Sequence, residues 1–387
     1  MSAPSDKKTK KIHEPLFHIV KRDAIPWWKA WIIRIAAVLA SLLVVAVLTL
    51  VITGQNPVQM YKAFVDGAVG NEIRTWDFLK DFAVLLIVAV AVTPAFKMRF
   101  WNIGAQGQIL VGALATTAVL HYFSGRQSVL PGGRSLPTPV LFIVMIAAAV
   151  LAGAVWALLP AIFKAYLKTN ETLFTLMMNY IAINLVAFFC FRWSKNAGQD
   201  VIGRINAETK EGWLPFLGGK RYAFVVIVAF VVTLIAFIYL RYSKQGYEIS
   251  VVGESENTAR YIGINVKKVI IRTVIISGAL CGLAGFILVS GVDHTLSTAI
   301  EDGRGFTAII VSWMAHFNPL YMILTSALII FLEKGAVQVA SSKDLSLDAS
   351  FSYIVTGIII LFIIGCEFFI NYSVKFKKRE KVKEANK

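Results

Sequence analysis

The stretch FAVLLIVAVAVTPAF at residues 82–96 contains no charged side chain and no regular alternation of polar and apolar residues. Further long apolar runs lie near residues 31–53, 103–123, 138–160, 171–191, 222–240, 269–291, 306–332 and 351–371. Membrane-spanning strands alternate apolar and polar positions, whereas a membrane helix needs about 20 predominantly apolar residues in succession. The sequence therefore predicts an all-α, polytopic membrane helix bundle.

The composition supports a membrane protein and excludes several other classes. Of the 387 residues, 57% are hydrophobic and 16% are charged, compared with about 25% charged residues in average soluble domains. This balance excludes a soluble enzyme, a disordered protein and a disulfide scaffold. The cysteines Cys190, Cys281 and Cys366 stand singly inside apolar runs, a placement typical of small buried residues and not of metal or disulfide sites.

The basic residues are concentrated at the two ends of the chain. The formal net charge is +16, and many lysines and arginines precede the first apolar run or follow the last one. Lysine and arginine next to membrane helices mark the cytoplasmic side. We therefore predict that both termini are cytoplasmic, that the number of crossings is even, and that no nucleic acid is bound. The predicted divisions are a basic tail (1–30), a membrane domain (31–372) with a cytoplasmic loop (about 241–268), and a second basic tail (373–387).

The nine apolar runs conflict with an even number of crossings. The run 306–332 contains His316, Asn318 and Pro319 near its middle, and proline bends or ends a helix because it lacks a backbone donor. Two shorter helices are predicted, at about 306–316 and 319–333. If both cross the membrane the total is ten, and if they form a re-entrant hairpin it is eight. The prediction is therefore about 8–10 transmembrane helices.

Amide side chains interrupt two of the apolar runs. Asn102, Gln106 and Gln108 lie within seven residues together with two glycines, and Asn179 lies inside the run 171–191. Polar groups in hydrocarbon are costly and often mark a transport path. Uncharged amides suit a neutral, hydrogen-bonding solute. The alternative is that these amides tie helices together, which is common in membrane bundles.

The loop at about 241–268 carries the pattern of a short helix. Ser255 is placed to cap this helix and Gly263 to end it, since serine favours helix starts and glycine favours helix ends. A short amphipathic helix outside the membrane is a docking surface, although an ordinary connecting loop is the alternative.

Two further patterns lie towards the C-terminal half of the chain. Gly278 and Gly282 form a G-x-x-x-G pattern, which predicts close contact with another helix. The charged and polar residues that follow are expected to be solvated at the membrane edge; they are Asp293, His294, Glu301 and Asp302. No phosphate-binding loop of the G-x-x-x-x-G-K-[ST] type is present, so an ATP-driven process would need an ATPase on another subunit.

The motifs resemble those of bacterial ABC importer permeases for simple sugars, nucleosides and related solutes. Residues 101–108, WNIGAQGQ, resemble the family's F-N-I-G-A-E-G-Q, and residues 170–182, NETLFTLMMNYIA, resemble N-E-V-I-S-T-L-M-L-N-Y-I-A of its nucleoside branch. Residues 246–264, 277–285 and 305–311 are similar to further family segments. This chain has Trp101, Gln106 and Thr307 where the family usually has Phe, Glu and Asp.

The resemblance implies a multi-pass subunit of the bacterial plasma membrane that performs no enzymatic reaction. It implies uptake of nucleosides, purine nucleosides in particular, by alternating access. A separate ABC ATPase would bind ATP and Mg²⁺, with no cofactor in this chain. A second permease, making a heterodimer, and an extracytoplasmic substrate-binding lipoprotein would complete the transporter. By position, the implied pathway residues are Asn102, Gln106, Gln108 and Asn179, and the residues coupling to the ATPase are Gly253, Glu254, Asn257, Arg260 and Gly263.

Two other functions remain as alternatives. A simple-sugar permease of the ribose or galactose type would differ from a nucleoside permease only in its cargo. An ion-coupled secondary transporter would be a different class, and it should carry intramembrane carboxylates or a broken-helix ion site.

Overall fold

A computed structural model describes residues 17–22, 26–54, 57–124, 135–194, 201–341 and 349–376. Of these residues, 79% are helical. The helices are α1 (Trp27–Thr53), α2 (Pro57–Val69), α3 (Glu72–Lys97), α4 (Ala105–Phe123), α5 (Thr138–Leu167), α6 (Glu171–Trp193), α7 (Ala223–Tyr242), α8 (Lys244–Glu254), α9 (Glu256–Tyr261), α10 (Val266–Ile287), α11 (Arg304–Met314), α12 (Pro319–Ser341) and α13 (Ala349–Asn371). A π-helical turn (Leu288–Asp293) extends α10, and the short strands are β1 (Phe17–Lys21), β2 (Val201–Ile202), β3 (Leu296–Ser297) and β4 (Tyr372–Phe376).

The predicted all-α membrane bundle is confirmed. Among the described residues, seven helices are long and apolar enough to cross a membrane: α1, α3, α5, α6, α7, α12, and α10 with its π-helical turn. In the most apolar stretch of α3, 83% of the residues are buried, whereas the corresponding share is 17% in α1. The centre of the bundle is therefore α3, and α1 lies at its periphery.

The glycine pattern on α10 produces close helix contacts, as predicted. A Cβ on Gly282 would overlap the carbonyl oxygen of Ala149 on α5, and a Cβ on Gly278 would overlap that of Gly153. Gly285 meets the carbonyl oxygen of Ile109 on α4 in the same way. Small residues allow backbones to approach in membranes, where packing replaces the hydrophobic effect as the force between helices. Helix α10 is thereby fixed between α4 and α5.

Strand pairing defines the two ends of the bundle. Strand β2 follows α6, β3 follows the π-helical turn, and the two pair antiparallel; we call their end the apical end. Strand β1 precedes α1 and pairs with β4, which follows α13; their end, which also carries α8 and α9, is the basal end. The chain thus enters and leaves the bundle at one end. Among the described helices, eight run between the two ends: α1, α3, α4, α5, α6, α7, α10 and α13.

The predicted break near Pro319 is confirmed, and it forms a hairpin. Helices α11 and α12 are separated by residues 315–318. At 11 residues, α11 is about 16 Å long and too short for a hydrocarbon core of roughly 30 Å. Arg304 at the start of α11 and Lys334 in the second half of α12 both form ion pairs with Asp81, in the apical half of α3. Arg304 and Lys334 therefore lie at the same level of the bundle.

The turn of the hairpin lies deep in the bundle. Thr93 on α3 lies 3.0 Å from Ser312 Oγ of α11 and 3.4 Å from Met322 Sδ of α12. Thr93 follows Asp81 by twelve residues, about 18 Å along the helix. The segment therefore enters and leaves at the apical end. Both alternatives left open by the sequence share this entry and exit, but α11 is too short to cross the hydrocarbon core. The structure therefore favours the re-entrant hairpin, with eight crossings among the described helices.

Candidate functional site

A buried pair of amides anchors the segment that leads into α4. Asn102 is fully buried, and its Nδ2 donates to Gln108 Oε1 at 3.3 Å and to Ser277 Oγ on α10 at 3.3 Å. Asn102 Oδ1 accepts from Gln108 Nε2 at 3.2 Å and from the Gly104 amide at 3.1 Å. Both amide side chains are thus satisfied within the protein, as buried polar groups must be.

Asn179 fixes the same segment from α6. Its Oδ1 accepts from the Gly107 amide at 2.9 Å, and its Nδ2 donates to the Ile103 carbonyl at 3.0 Å. Three of the four predicted pathway amides, Asn102, Gln108 and Asn179, therefore hold residues 102–108 against α6 and α10. Gln106, the fourth, is partly exposed.

The segment 101–106 lies along α11, although about 200 residues separate the two in sequence. A Cβ on Gly305 would come within 2.8 Å of the backbone nitrogen of Gln106. At the other end of the contact, the Trp101 and Trp313 rings lie 5.2 Å apart. The fold thus brings together two of the motifs that carry the family resemblance. Both positions where this chain lacks the family's acid, Gln106 and Thr307, lie at this junction.

Exposed aromatic rings cover the open side of this junction. Trp101 is 40%, Phe306 43% and Trp313 51% exposed; we call these three residues the aromatic face. Phe306 and Trp313 are seven residues apart and share one side of α11, since residues i and i+7 lie two turns apart. This spacing of aromatic residues could have predicted that Phe306 and Trp313 share one side of a helix, but the sequence analysis missed it. An uncharged amide beside flat rings can bind a neutral, ring-shaped solute by stacking and hydrogen bonding.

A buried ion cluster lies beside the junction. Arg304 donates through Nη2 to Asp81 Oδ1 at 2.6 Å and through Nη1 to the Asp81 carbonyl at 2.8 Å, and both side chains are almost fully buried. Lys334 pairs with the other carboxylate oxygen, and Lys80 Nζ lies 3.7 Å from Oδ1. Sequence reasoning missed this cluster. Its signal was a set of opposite charges flanking the apolar runs, to which the sequence analysis gave no role.

The expectation that the polar residues after α10 are solvated was wrong for Glu301 and His294. Glu301 is buried, and its carboxylate is satisfied there because it accepts from the amides of Gly303 at 3.1 Å and Gly305 at 2.9 Å, at the start of α11. Burial raises the pKa of the Glu301 carboxyl, while the two amide donors lower it. Asp293 and Asp302 are exposed, as predicted.

His294 is buried against an indole ring. The His294 and Trp213 rings are parallel, with centroids 3.7 Å apart. Burial, and to a lesser extent the positive charge of Arg221, lowers the pKa of His294 to about 4. The imidazole is therefore neutral at physiological pH.

The loop at the basal end contains the predicted short helix. Ser255 Oγ accepts from the Thr258 amide at 3.3 Å, so Ser255 caps α9. Gly263 follows α9 with φ +84°, a backbone conformation that favours glycine. The side chains of Glu254, Asn257 and Arg260 are exposed. Arg260 pairs with Glu256 at 2.8 Å, and the side chain of Tyr261 is 92% exposed.

Helix α8 joins this loop to the centre of the bundle. Gly253 is buried, and a Cβ there would overlap the Lys97 carbonyl oxygen at the end of α3. Arg272 on α10 pairs with Glu248 on α8 at 2.9 Å. A displacement of α8 would therefore act on α3 and α10 together.

The family described as "branched-chain amino acid transport system / permease component" matches residues 75–364. The chain belongs to this family of ABC transporter permeases. The permease is similar to the guanosine ABC transporter permease protein NupP of Bacillus subtilis, with 28% identity over 334 residues, covering 85% of this chain and 90% of the relative. It is also similar to the glucose ABC transporter permease protein TsgB13 of Haloferax volcanii, with 27% identity over 366 residues, covering 91% and 92% of the two chains. A third relative, the nucleoside ABC transporter permease protein NupB of Lactococcus lactis, is 26% identical over 343 residues, with 86% and 90% covered.

Family membership decides between the classes that the sequence left open. The permease is a multi-pass protein of the plasma membrane, it is not an enzyme, and it works with an ATP-binding subunit and a substrate-binding protein. The ion-coupled alternative expected an intramembrane carboxylate. Asp81 is such a group, but Arg304 and Lys334 pair with it, so its charge is already compensated.

Proposed function

We propose that this permease takes up nucleosides, purine nucleosides in particular, by alternating access driven by a separate ATPase. The observation that carries the proposal is the aromatic face beside the uncharged Gln106. Exposed indole rings stack on heteroaromatic bases, and an amide can both donate to and accept from a base edge. The names of the relatives NupP and NupB, for guanosine and nucleosides, support the same cargo.

The four amides border the proposed path in two different ways. Gln106 faces the solute directly. Asn102, Gln108 and Asn179 hold the backbone of residues 102–108 in place through the hydrogen bonds described above. The path runs along α11 and is closed on its open side by a second permease, so that the transporter is a heterodimer.

Uptake of labelled guanosine by the reconstituted transporter tests the cargo. We expect unlabelled adenosine and inosine to compete, cytidine to compete less, and ribose or galactose not to compete. Trp313→Ala should weaken guanosine uptake about fivefold or more in KM, because base stacking on an aromatic side chain contributes about 1–3 kcal/mol. Trp28→Ala, at an indole of similar exposure on α1, should leave KM unchanged. Full competition by a monosaccharide with no competition by nucleosides would show a sugar permease, as the name of TsgB13 suggests for that relative.

The segment from Gly253 to Gly263 is the proposed contact with the ATPase. Gly253 seats α8 on α3, Gly263 ends α9, and the side chains of Glu254, Asn257 and Arg260 are offered to the partner. Because α8 is tied to both α3 and α10, closure of an ATPase dimer would move the centre of the bundle.

Substitutions at the exposed end of α8 and on α9 test this coupling. Glu254→Ala and Arg260→Ala should lower substrate-stimulated ATPase activity and uptake in the assembled transporter. Lys267→Ala is the matched control, because Lys267 is an exposed cation at the start of α10 that packs over Tyr166. Unchanged coupling in both Glu254→Ala and Arg260→Ala would refute the assignment.

Purification of the tagged chain from its native membrane tests the partners. We expect an ABC ATPase, a second, related permease and a substrate-binding lipoprotein to copurify. Recovery of two copies of this chain with the ATPase and no second permease would replace the heterodimer with a homodimer.

A further inference from the structure

The two walls of the proposed path are anchored to different helices. One wall is α11, and the other is residues 101–108, which we call the amide wall. The amide wall is bound to α10 through Asn102 and to α6 through Asn179. Helix α4, which continues from it, is packed against α10 at the close glycine contacts described above. The amide wall is therefore expected to move together with α10.

Helix α11 is bound to α3 instead. Near its start, Arg304 donates to the carboxylate of Asp81 at 2.6 Å and to its carbonyl at 2.8 Å. Further along, Ser312 Oγ lies 3.0 Å from Thr93. Asp81 also pairs with Lys334 on α12, so one carboxylate holds both arms of the hairpin. Hydrogen bonds between charged groups are roughly twice as strong as neutral ones, and Asp81 therefore provides the stronger attachment to α3.

The helix α8 at the basal end contacts both anchoring helices. Gly253 lies against the Lys97 carbonyl at the basal end of α3, and Glu248 pairs with Arg272 of α10 at 2.9 Å. Helix α3 is continuous from Asp81 to Lys97, a distance of about 24 Å at 1.5 Å per residue. A movement of α8 that displaces α3 relative to α10 would therefore reach both walls of the path.

We infer that Asp81 is a positioning residue for transport. It makes α11 follow α3, so that a relative movement of α3 and α10 opens or closes the path between α11 and the amide wall. This inference rests on the proposed path and on the proposed contact with the ATPase. The walls meet through ring packing, as between Trp101 and Trp313, and such contacts separate without leaving a buried donor or acceptor unpaired.

The amount of labelled guanosine taken up per ATP hydrolysed tests this role in the assembled transporter. In Asp81→Asn the side chain can accept from one cation only, because its nitrogen is a donor. We expect uptake per ATP to fall about fivefold or more, the lower end of couplings between distant sites, while the ATPase still copurifies and retains its basal activity. Asp81→Glu keeps the charge and should retain most of the coupling. Asp77→Asn is the matched control, because Asp77 lies one turn earlier on α3 and pairs with Lys80 at 3.6 Å; it should behave as the wild type.

The double variant Asp81→Asn/Arg304→Gln serves if Asp81→Asn alone does not fold. It removes both members of the buried pair, so that Arg304 is not left as an unpaired charge. Because the two residues act as one unit, the double variant should lose no more coupling than either single variant. Circular dichroism and the thermal unfolding midpoint show whether each variant is folded.

Cysteine labelling without solute separates this inference from the proposed cargo. Phe306→Cys, on the exposed side of α11, should react with a maleimide at different rates in the nucleotide-free and the vanadate-trapped transporter. When Asp81→Asn is added, the two rates should become equal.

Three results would overturn the inference. A difference in labelling rate that persists in Asp81→Asn would show that α11 does not depend on Asp81, and the coupling segment would stand. Equal rates already in the presence of Asp81 would count against the coupling segment as well. A lower unfolding midpoint in Asp81→Asn with unchanged uptake per ATP would show a role in stability alone. State-dependent labelling without guanosine uptake would instead refute the proposed cargo and leave the role of Asp81 intact.

Discussion

The side chain of Asn179 on α6 forms hydrogen bonds with two backbone groups near the start of α4. Loss of this side chain should therefore destabilise that region. The Asn179 amide bonds the Gly107 nitrogen and the Ile103 oxygen. In Asn179→Ala both groups lose their partner, and each buried unsatisfied group costs about 1–3 kcal/mol. We expect a lower thermal unfolding midpoint in detergent and reduced uptake. Asn184→Ala is the control, since Asn184 is exposed on the same helix and bonds only the Tyr180 carbonyl four residues earlier; an equal loss of stability there would contradict this account.

The buried imidazole of His294 predicts a pH dependence of stability. Its pKa is lowered to about 4 in the folded chain, against about 6.5 in an unfolded chain. The unfolded state therefore binds more protons between these values, so the stability due to neutral His294 is complete above pH 6.5 and is lost as the pH falls towards 4.

His294→Phe isolates this effect because it keeps an aromatic ring on Trp213 but cannot titrate. We expect the unfolding temperature of the wild type to fall more steeply between pH 6.5 and 4 than that of the variant. Glu301, whose pKa is raised, is common to both proteins and drops out of the difference. Parallel pH profiles would show that His294 is not protonated on unfolding in this range.

The hairpin of α11 and α12 makes a topological prediction. Because Arg304 and Lys334 both reach Asp81, the two ends of the hairpin face the same side of the membrane. Single cysteines in Asp302→Cys and Ser341→Cys, at exposed positions, should react with a membrane-impermeant maleimide from one side. Tyr261→Cys in α9 should react from the other side. The native cysteines are buried and should not interfere. Labelling of positions 302 and 341 from opposite sides would mean that residues 304–341 cross the membrane once, and it would contradict the hairpin.

Pairing of β1 with β4 extends the argument to the entire chain. The register from Phe17 with Phe376 to Lys21 with Tyr372 places both ends of the membrane domain together. Fluorescent protein fused to either terminus should therefore report the same compartment, and the flanking lysines and arginines predict the cytoplasm. One cytoplasmic and one external terminus would require an odd number of crossings and would contradict the fold described here.

The four predicted pathway amides show which features of the site can be predicted from local sequence and which cannot. Their clustering was visible because amides are rare in apolar runs. The sequence did not show that Asn102 bonds Ser277 or that Asn179 bonds Gly107, because these pairs join different helices. The aromatic face was missed for the same reason: Trp101 meets Trp313 only after α11 has folded back against α3.

The sequence by itself determined the class of fold, the break before Pro319, the cap at Ser255, the turn at Gly263 and the close contacts of Gly278 and Gly282. Each of these features depends on neighbouring residues or on a helical repeat, so it can be predicted from a short stretch of sequence. The tertiary structure alone decided that the hairpin is re-entrant, that Glu301 and His294 are buried, and that Asp81 gathers Arg304 and Lys334. Those outcomes depend on which helices become neighbours, and the burial or pairing of a charge is set by groups far away in the chain.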